Sequence, residues 1–222
     1  MDAASPEARK RRDGRYHHGR LKQAMVEATI ALVEERGAEQ VSVREAARRA
    51  GVSSGAPFRH FPTRAALLTA AAEEAMRRFR IEIAASMAQV ADEDPLVRLN
   101  AVGLAYVRWA VANPTLFEIL GNRRTLDLGA AAGLRADIAE LHALVVDLLT
   151  EAGGKGLLRS DDIFNLTLNV RTLAYGMAHM YVDRQLREWG IEDADAEGAM
   201  AGALRHYLRG IASDPDRHDL RP

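Results

Sequence analysis

Apolar side chains recur along this chain at steps of three and four residues, which is the spacing of one buried helical face. Leu21, Met25 and Leu32 follow this spacing in a first segment. The segment predicts a helix from about Leu21 to Arg36, with Gly37 just past its end. No alternation of the kind that a strand needs stands out elsewhere. The pattern therefore predicts an all-α protein.

A helix pair is predicted between residues 41 and 61. Ser42 and Glu45 have the spacing of a capping box, in which side chains satisfy free backbone groups at a helix start. A helix is therefore expected to begin near Val43. Gly51 can end it, because glycine adopts the left-handed conformation without steric cost. The buried stripe of this helix consists of small residues, which let a second helix cross closely.

The second helix of the pair is predicted to be short. Ser53 or Ser54 can cap it. Pro57 is tolerated because its missing N–H falls in the first turn, and the helix ends before Pro62. Thr63 then caps a long third helix with the same apolar spacing.

The remainder of the chain is helical on pattern alone, with Gly, Pro and Asp between the segments. The predicted helices run over about Pro95 to Ala112, Pro114 to Asn122, Ala130 to Glu151, Asp161 to Trp189 and Ala194 to Ala212.

Charge is divided unevenly along the chain. The whole chain carries a net charge of −1, but residues 1 to 64 carry a net +5 and the rest a net −6. Lys and Arg gain affinity for DNA by releasing the counterions of phosphates. The division is therefore typical of a DNA-binding head on an acidic body.

Composition and motifs argue against several other classes. The chain has no cysteine, which excludes disulfides and thiolate metal sites. No hydrolase, zinc-protease or phosphate-loop motif occurs, and the pair His17-His18 lacks a third ligand, so we predict no enzyme, metal or other cofactor. Without a long apolar run or a signal stretch, we expect a cytoplasmic protein and no membrane segment.

Several motifs in residues 16 to 76 carry a family resemblance. They are Tyr16-His-His-Gly-Arg-Leu21, Gly37, Val41-Ser-Val-Arg-Glu45, Gly51-Val-Ser53 and Gly55-Ala-Pro-Phe-Arg-His-Phe-Pro62. Together they resemble the TetR family of bacterial repressors. Further on, the segment from Ala112 to Leu120 resembles part of the TetR subgroup whose C-terminal domain is named for a Trp-His-Gly motif. Near that motif the chain keeps Gly176 and has Tyr175 in the His place.

The resemblance implies a division into domains. An N-terminal three-helix, helix-turn-helix DNA-binding domain is expected over residues 16–66, followed by a larger helical ligand-binding and dimerisation domain over residues 67–222. Residues 1–15 include the run Arg9-Lys-Arg-Arg12 and have little apolar surface to bury, so they are expected to form a disordered basic arm. Such an arm either lies along DNA or is a solvated tail.

The predicted DNA contacts come from the helix pair. Ser53, Ser54, Gly55 and Arg59 project from the exposed half of the second helix, and Arg59 can fork onto a guanine or bind a phosphate. Ser42 and Arg64 lie at helix starts, where a phosphate is favoured. The resemblance implies backbone contacts at Phe58, His60 and Arg64. Phe58 lacks the hydroxyl of the usual Tyr and offers an apolar contact only, whereas Phe61 is expected in the core.

A small-molecule effector site is implied by the resemblance. Polar residues on one face of the helix from Asp161 could line it together with surrounding aromatic residues. The candidates are Tyr106, Trp109, Phe117, His142, Asn169, Thr172, Met177, His179 and Tyr181. The alternative is that the polar stripe from Asn165 to Asp183 is a solvated face and that the aromatic residues are core.

The last helix carries an apolar stripe that includes Met200, Leu204 and Leu208, with Gly198 and Gly202 allowing close approach. With the preceding helix it could form a four-helix homodimer interface, and we favour this over a core stripe within one subunit. The sequence thus predicts a homodimeric repressor that binds a palindromic operator and is released by a small molecule. The alternatives are a helical small-molecule binding protein and a nonspecific architectural DNA binder.

Overall fold

The structure is a computed structural model that describes residues 6–52, 57–91 and 93–214. Within them it is all-α, as predicted, with one isolated bridge between Leu158 and Ala212. The helices are α1 Pro6–Arg36, α2 Val43–Arg49, α3 Arg64–Ala88, α4 Pro95–Ala112, α5 Pro114–Gly121, α6 Ala132–Gly154, α7 Ile163–Val182 and α8 Asp193–Ile211. Short 3₁₀ turns lie at Ala38–Gln40, Pro57–Arg59, Arg123–Thr125 and Gln185–Trp189.

The chain divides into two compact units. The first comprises residues 1–75 and 118–132, and the second comprises residues 76–117 and 133–222. The first unit therefore includes residues 67–75 and 118–132, which the sequence assigned to the C-terminal domain. Helix α3 contributes its first half to the first unit and its second half to the second.

Local capping sets the ends of α2. The Ser42 hydroxyl accepts the Glu45 N–H at 3.2 Å, so the predicted start at Val43 is confirmed. At the other end Gly51 has a φ of +67°. The Val52 N–H donates to the Ala47 carbonyl at 3.1 Å and the Gly51 N–H to the Arg48 carbonyl at 3.2 Å, which is the Schellman arrangement.

The core of the first unit follows the predicted stripes. Met25 and Leu32 of α1 are buried, as is the small-residue face of α2 that includes Ala46 and Ala47. Phe61 is 2% exposed, which confirms its predicted place in the core. The Thr63 hydroxyl accepts the Ala66 N–H at 3.0 Å and so caps α3, as predicted.

The first helix begins earlier than predicted. It starts at Pro6 rather than near Leu21, so residues 6–15 are helical in the structure and not the disordered arm that was expected. Pro6 falls in the first turn, where a missing N–H costs nothing, and the Glu, Ala, Arg and Lys residues after it are good helix formers. The expectation for residues 1–5 lies outside the described residues.

The described part of the second helix of the pair is a 3₁₀ turn, Pro57–Arg59, and not the predicted α-helix. The N–H groups of His60 and Phe61 both donate to the Pro57 carbonyl, at 2.9 and 2.8 Å. Phe61 precedes Pro62, and a residue before proline disfavours the α conformation. The predicted cap at Ser53 or Ser54 lies outside the described residues.

The single helix predicted from Asp161 to Trp189 is two elements. Helix α7 begins after Asp162, whose side chain accepts the Asn165 N–H at 3.0 Å. Hydrogen bonds from the Asn165 side chain and backbone hold the Asp162 pKa below its usual value. Helix α7 ends at Val182, because Arg184 adopts a left-handed φ of 60° and starts the following turn.

In the second unit, α4 packs against α7 and α8, and α7 packs against α8. Helices α4 and α8 run antiparallel, since Gly103 lies against Leu204 while Arg108 Nε donates to Glu197 Oε1 at 2.9 Å. A Cβ on Gly103 would clash with Leu204 Cδ2. The missing side chain thus permits the close crossing of the two helices.

We predict that Gly103→Ala is less stable than Gly198→Ala by about 1–3 kcal/mol, the usual cost of overpacking a core. Both changes bring the same helix propensity, but a Cβ on Gly198 meets nothing within 4 Å. Chemical denaturation of the two variants measures the difference. Equal stabilities of the two variants would show that the Leu204 side chain accommodates the added Cβ without loss of stability.

Candidate functional site

Two side chains of the 3₁₀ turn Pro57–Arg59 point into solvent. Phe58 is 40% exposed, and Arg59 is exposed with no hydrogen bond or ion pair to another described residue. Ser42 is exposed at the start of α2. These three predicted DNA-contact residues are therefore accessible to a ligand of the first unit.

Arg64 has a structural role that the sequence did not indicate. Its Nε and Nη2 donate to the Ala38 carbonyl at 3.2 and 2.7 Å, and Nη2 also donates to Glu39 at 3.2 Å. Ala38 is buried, so the guanidinium satisfies an acceptor that water does not reach readily. Arg64 thereby ties the start of α3 to the turn after α1. Its contact with a phosphate stays a prediction.

The remaining predicted DNA-contact residues divide into two groups. His60 is half-buried, with its ring 6.4 Å from the Phe61 ring. Ser53, Ser54 and Gly55 lie outside the described residues, so their roles stay predictions.

Arg44 is a candidate that the sequence reasoning missed. Among the arginines of α2, Arg48 lies 3.6 Å from Glu45 and Arg49 lies 2.6 Å from Glu35. Arg44 is exposed and makes no ion pair within the part of the chain that the structure describes. The spacing of charges in the sequence could have indicated this. Glu45 stands three residues before Arg48 and can pair with it, whereas the residue four positions after Arg44 is another arginine and cannot.

Six rings of the second unit come together in one aromatic cluster. They are Phe79, Tyr106, Trp109, Phe117, Tyr175 and His179. Neighbouring ring centroids lie 4.6–6.1 Å apart, and most pairs meet edge to face. Four predicted effector residues belong to this cluster: Tyr106, Trp109, Phe117 and His179.

The aromatic cluster has a buried interior and an accessible edge. Trp109 and Phe117 are each 3% exposed, whereas Tyr175 is 42% exposed. At that edge Tyr175 Oη and His179 Nε2 lie 2.7 Å apart in a hydrogen bond, and His179 Nδ1 lies 3.8 Å from Asp183. The cluster therefore offers apolar ring surface inside and one polar pair at its opening.

Two family models match most of the chain. "Bacterial regulatory proteins, tetR family" matches residues 25–71, and "Tetracyclin repressor-like, C-terminal domain" matches residues 99–207. The chain belongs to the tetR family. The first match covers α2 with its caps, and the second covers five of the six rings of the aromatic cluster. The Trp-His-Gly subgroup stays a prediction.

Curated relatives of this tetR-family chain match it in part. The regulator BetI of Yersinia pestis is 33% identical over 81 residues, which are 36% of this chain and 41% of BetI. The repressor KstR of Mycobacterium tuberculosis is 29% identical over 133 residues, which are 60% of this chain and 58% of KstR. The chain thus matches less than two thirds of either relative.

Solved structures match nearly the whole tetR-family fold. A protein of unknown function from Rhodococcus sp. RHA1 has a TM-score of 0.71 and 27% identity, covering 89% of this chain and 98% of that one. The ketosteroid regulator KstR2 of Mycobacterium tuberculosis has a TM-score of 0.65 at 18% identity, covering 87% and 95%, which supports the fold alone. Within the described residues, no helix combines the length and apolarity needed to cross a membrane.

The other predicted effector residues lie apart from the ring contacts. His142, Asn169 and Thr172 are exposed, Met177 is buried and Tyr181 is half-buried. The amide of Asn169 lies beside Tyr207, where it opposes the rise in the Tyr207 pKa that burial causes. Phe79 and Tyr175 were missed, because Phe79 was read as part of the apolar stripe of α3 and Tyr175 only as a replaced histidine.

A cleft of about 530 Å³ lies elsewhere in the second unit, at the turn between α6 and α7. Its lining residues are Thr150, Gly153, Gly154, Leu158, Arg159, Ser160, Asp161 and Ile163. None of the predicted effector residues lines it. We base the effector site on the aromatic cluster, because the cleft is shallow and its polar side chains face solvent.

The apolar stripe of α8 is core. Met200, Leu204 and Leu208 are at most 2% exposed within one chain, so these three side chains belong to its core, and the homodimer interface through the last two helices stays a prediction. Each is already buried by the close crossing with α4 and by contacts with α7. The outward face of α8 instead carries small residues such as Gly202 and Ala203, and α7 exposes Phe164 at 75% and Leu168 at 50%.

We predict that alanine substitution lowers stability at Arg64 but not at Arg59. Arg64→Ala should lower the free energy of unfolding by about 1 kcal/mol, because the buried Ala38 carbonyl loses charged donors. Arg59→Ala should stay within about 0.5 kcal/mol of the parent, since its exposed side chain makes no hydrogen bond or ion pair with another described residue. Denaturant titration of both variants measures this. An unchanged Arg64→Ala protein would contradict the structural role.

Proposed function

We propose that the chain is a cytoplasmic DNA-binding transcriptional regulator, a repressor that binds a palindromic operator as a homodimer and is released by a small molecule. The proposal rests on one observation above all. In the unit matched by the tetR-family model, Ser42, Arg44 and Arg59 are exposed, and the two arginines have no acidic partner among the described residues. They are therefore available to a polyanion.

The three side chains suit different parts of a DNA duplex. Arg59 is exposed on the 3₁₀ turn Pro57–Arg59, and a guanidinium can donate to both O6 and N7 of guanine. Arg44 and the Ser42 hydroxyl at the start of α2 suit phosphate oxygens, which position the protein without reading sequence. Phe58 adds an apolar contact to a sugar or a thymine methyl.

We assign the outward face of α7 and α8 to the contact with a second copy of the chain. Phe164 and Leu168 offer apolar area there, and Gly202 and Ala203 allow the helices of two subunits to approach closely. Pairing also serves the DNA contact, because two heads can occupy half-sites about 34 Å apart on one side of the duplex. This face replaces the buried stripe of α8 as the proposed interface.

The aromatic cluster is the proposed effector site. A small molecule bound there can release the operator only if it binds the DNA-free conformation more tightly than the DNA-bound one. The same coupling free energy must then weaken effector binding when operator is present. In this proposal the chain binds the operator and the effector but catalyses no reaction of either.

We predict that Arg44→Ala and Arg59→Ala each weaken binding to the DNA upstream of the protein's own gene. Loss of one phosphate contact should reduce the slope of log K against log salt by about 0.9. Arg59→Ala should in addition lose discrimination against unrelated duplex, by about 1–3 kcal/mol if it reads a base. Lys155→Ala is the control, because Lys155 is an exposed cation of the second unit and its ion pair with Glu151 is local to the end of α6.

Competition separates the proposal from its two alternatives. Gel shifts that survive excess unrelated duplex support a specific operator binder. Shifts that competitor abolishes indicate an architectural DNA binder. No shift at low salt indicates a helical small-molecule binding protein whose head does not bind DNA.

We predict that Leu168→Asp is a monomer at micromolar concentration, because a charge would be desolvated at the centre of the proposed interface. Ile81→Asp is the matched control, since Ile81 is 54% exposed on α3 and Leu168 is 50% exposed on α7. Sedimentation equilibrium should find the control dimeric. A dimeric Leu168→Asp protein, or a monomeric parent, would contradict the assignment of this face.

A further inference from the structure

The Tyr175 side chain contacts the other rings of the aromatic cluster in the way that a bound aromatic ligand would. Its ring lies 6.1 Å from the Phe117 ring and 4.6 Å from the His179 ring. Its hydroxyl makes a 2.7 Å hydrogen bond with His179 Nε2. Yet the side chain is 42% exposed, unlike the Phe117 and Trp109 rings behind it. It is the member of the cluster that can leave with the least loss of packing.

We propose that Tyr175 is a tethered phenol that occupies the effector's place, and that the effector is an uncharged phenol-like aromatic compound that displaces it. This inference rests on the proposed effector site. The incoming ring would take over the contact with Phe117, and its hydroxyl would take over the hydrogen bond to His179. The exposed Tyr175 side chain would rotate toward solvent.

Geometry favours a flat ring over a cation. Ammonium ligands bind to the open faces of aromatic rings. Here the pairs Phe79–Tyr106, Tyr106–Phe117 and Phe117–His179 meet at interplanar angles of 77°, 86° and 74°, so the edge of one ring covers the face of the next. A planar ring fits such an edge-to-face set by the same contacts that the resident rings make.

Charge argues against an anionic effector. At the accessible edge of the cluster, beside the hydrogen bond between Tyr175 and His179, the Asp183 carboxylate lies 3.8 Å from His179 Nδ1. An anionic effector bound at this edge would lie near the Asp183 carboxylate and would be repelled by it. A neutral hydroxyl needs only the one partner that His179 provides.

Fluorescence can test the proposal on the full-length chain. The protein has two tryptophans, and Trp189→Phe leaves Trp109, whose ring lies 4.9 Å from Phe79 inside the cluster. Phenol is the probe, with benzoate and tetramethylammonium as the anionic and cationic comparisons. We expect phenol to change Trp109 emission saturably and the two ions to have no saturable effect.

The decisive variant is Tyr175→Ala in the Trp189→Phe background. If Tyr175 competes with the effector, its removal should tighten phenol binding, by about tenfold if the resident ring is in place about nine-tenths of the time. If Tyr175 merely lines the site, the same change should weaken binding. Arg171→Ala, at an exposed position of the same helix outside the ring contacts, is the control and should leave phenol affinity unchanged.

Several outcomes would overturn the proposal. They are weaker phenol binding by Tyr175→Ala, tighter binding of benzoate or tetramethylammonium than of phenol, and no phenol response in either background. Circular dichroism verifies that the variants are folded. This assay contains no DNA and therefore measures only the displacement of Tyr175. Gel shifts with and without phenol test operator release separately, and phenol binding without release would contradict the proposed coupling between effector and operator rather than the displacement.

Discussion

The close antiparallel crossing of α4 and α8 is the constraint from which the second unit is built. Gly103 brings the two helices together at Leu204, and the exposed Arg108–Glu197 ion pair joins them further along the same antiparallel crossing. Tyr106 and Trp109 lie one and two turns beyond the crossing on α4, where they meet the other rings of the cluster. The crossing also buries the apolar stripe of α8, which leaves its small residues to face outward. The effector site and the proposed subunit interface thus follow from one contact.

Helix ends set by local chemistry could be predicted from the sequence, and those set by distant contacts could not. The caps at Ser42, Gly51 and Thr63 were predicted because each uses atoms within a few residues. The break after α7 depends on a left-handed Arg184, and nothing in its immediate sequence demands that conformation. The stripe of Met200, Leu204 and Leu208 has the same sequence pattern whether a partner subunit or α4 covers it. Only the packed structure distinguishes these two cases.

The same limit applies to the basic charge of the head. A net +5 indicates a polyanion partner, but it does not tell which cations are available. In the structure Arg36 pairs with Glu45, Arg49 pairs with Glu35, and Arg64 binds the Ala38 carbonyl. These arginines hold α1, α2 and α3 together. The sequence therefore indicated a basic segment, but it did not show that Arg64 also has a structural partner or that Arg44 is exposed without an ion pair to the described residues.

The hydrogen bond between Tyr175 and His179 bears on how much effector such a protein needs. A side chain attached to the site is present at a fixed effective concentration, which no change in the cell can dilute. An outside phenol must exceed that concentration before it occupies the place. The effector concentration needed for a response would then be set by the residue at position 175 rather than by the contacts that the effector makes. One substitution there could retune sensitivity while leaving selectivity for the ligand intact.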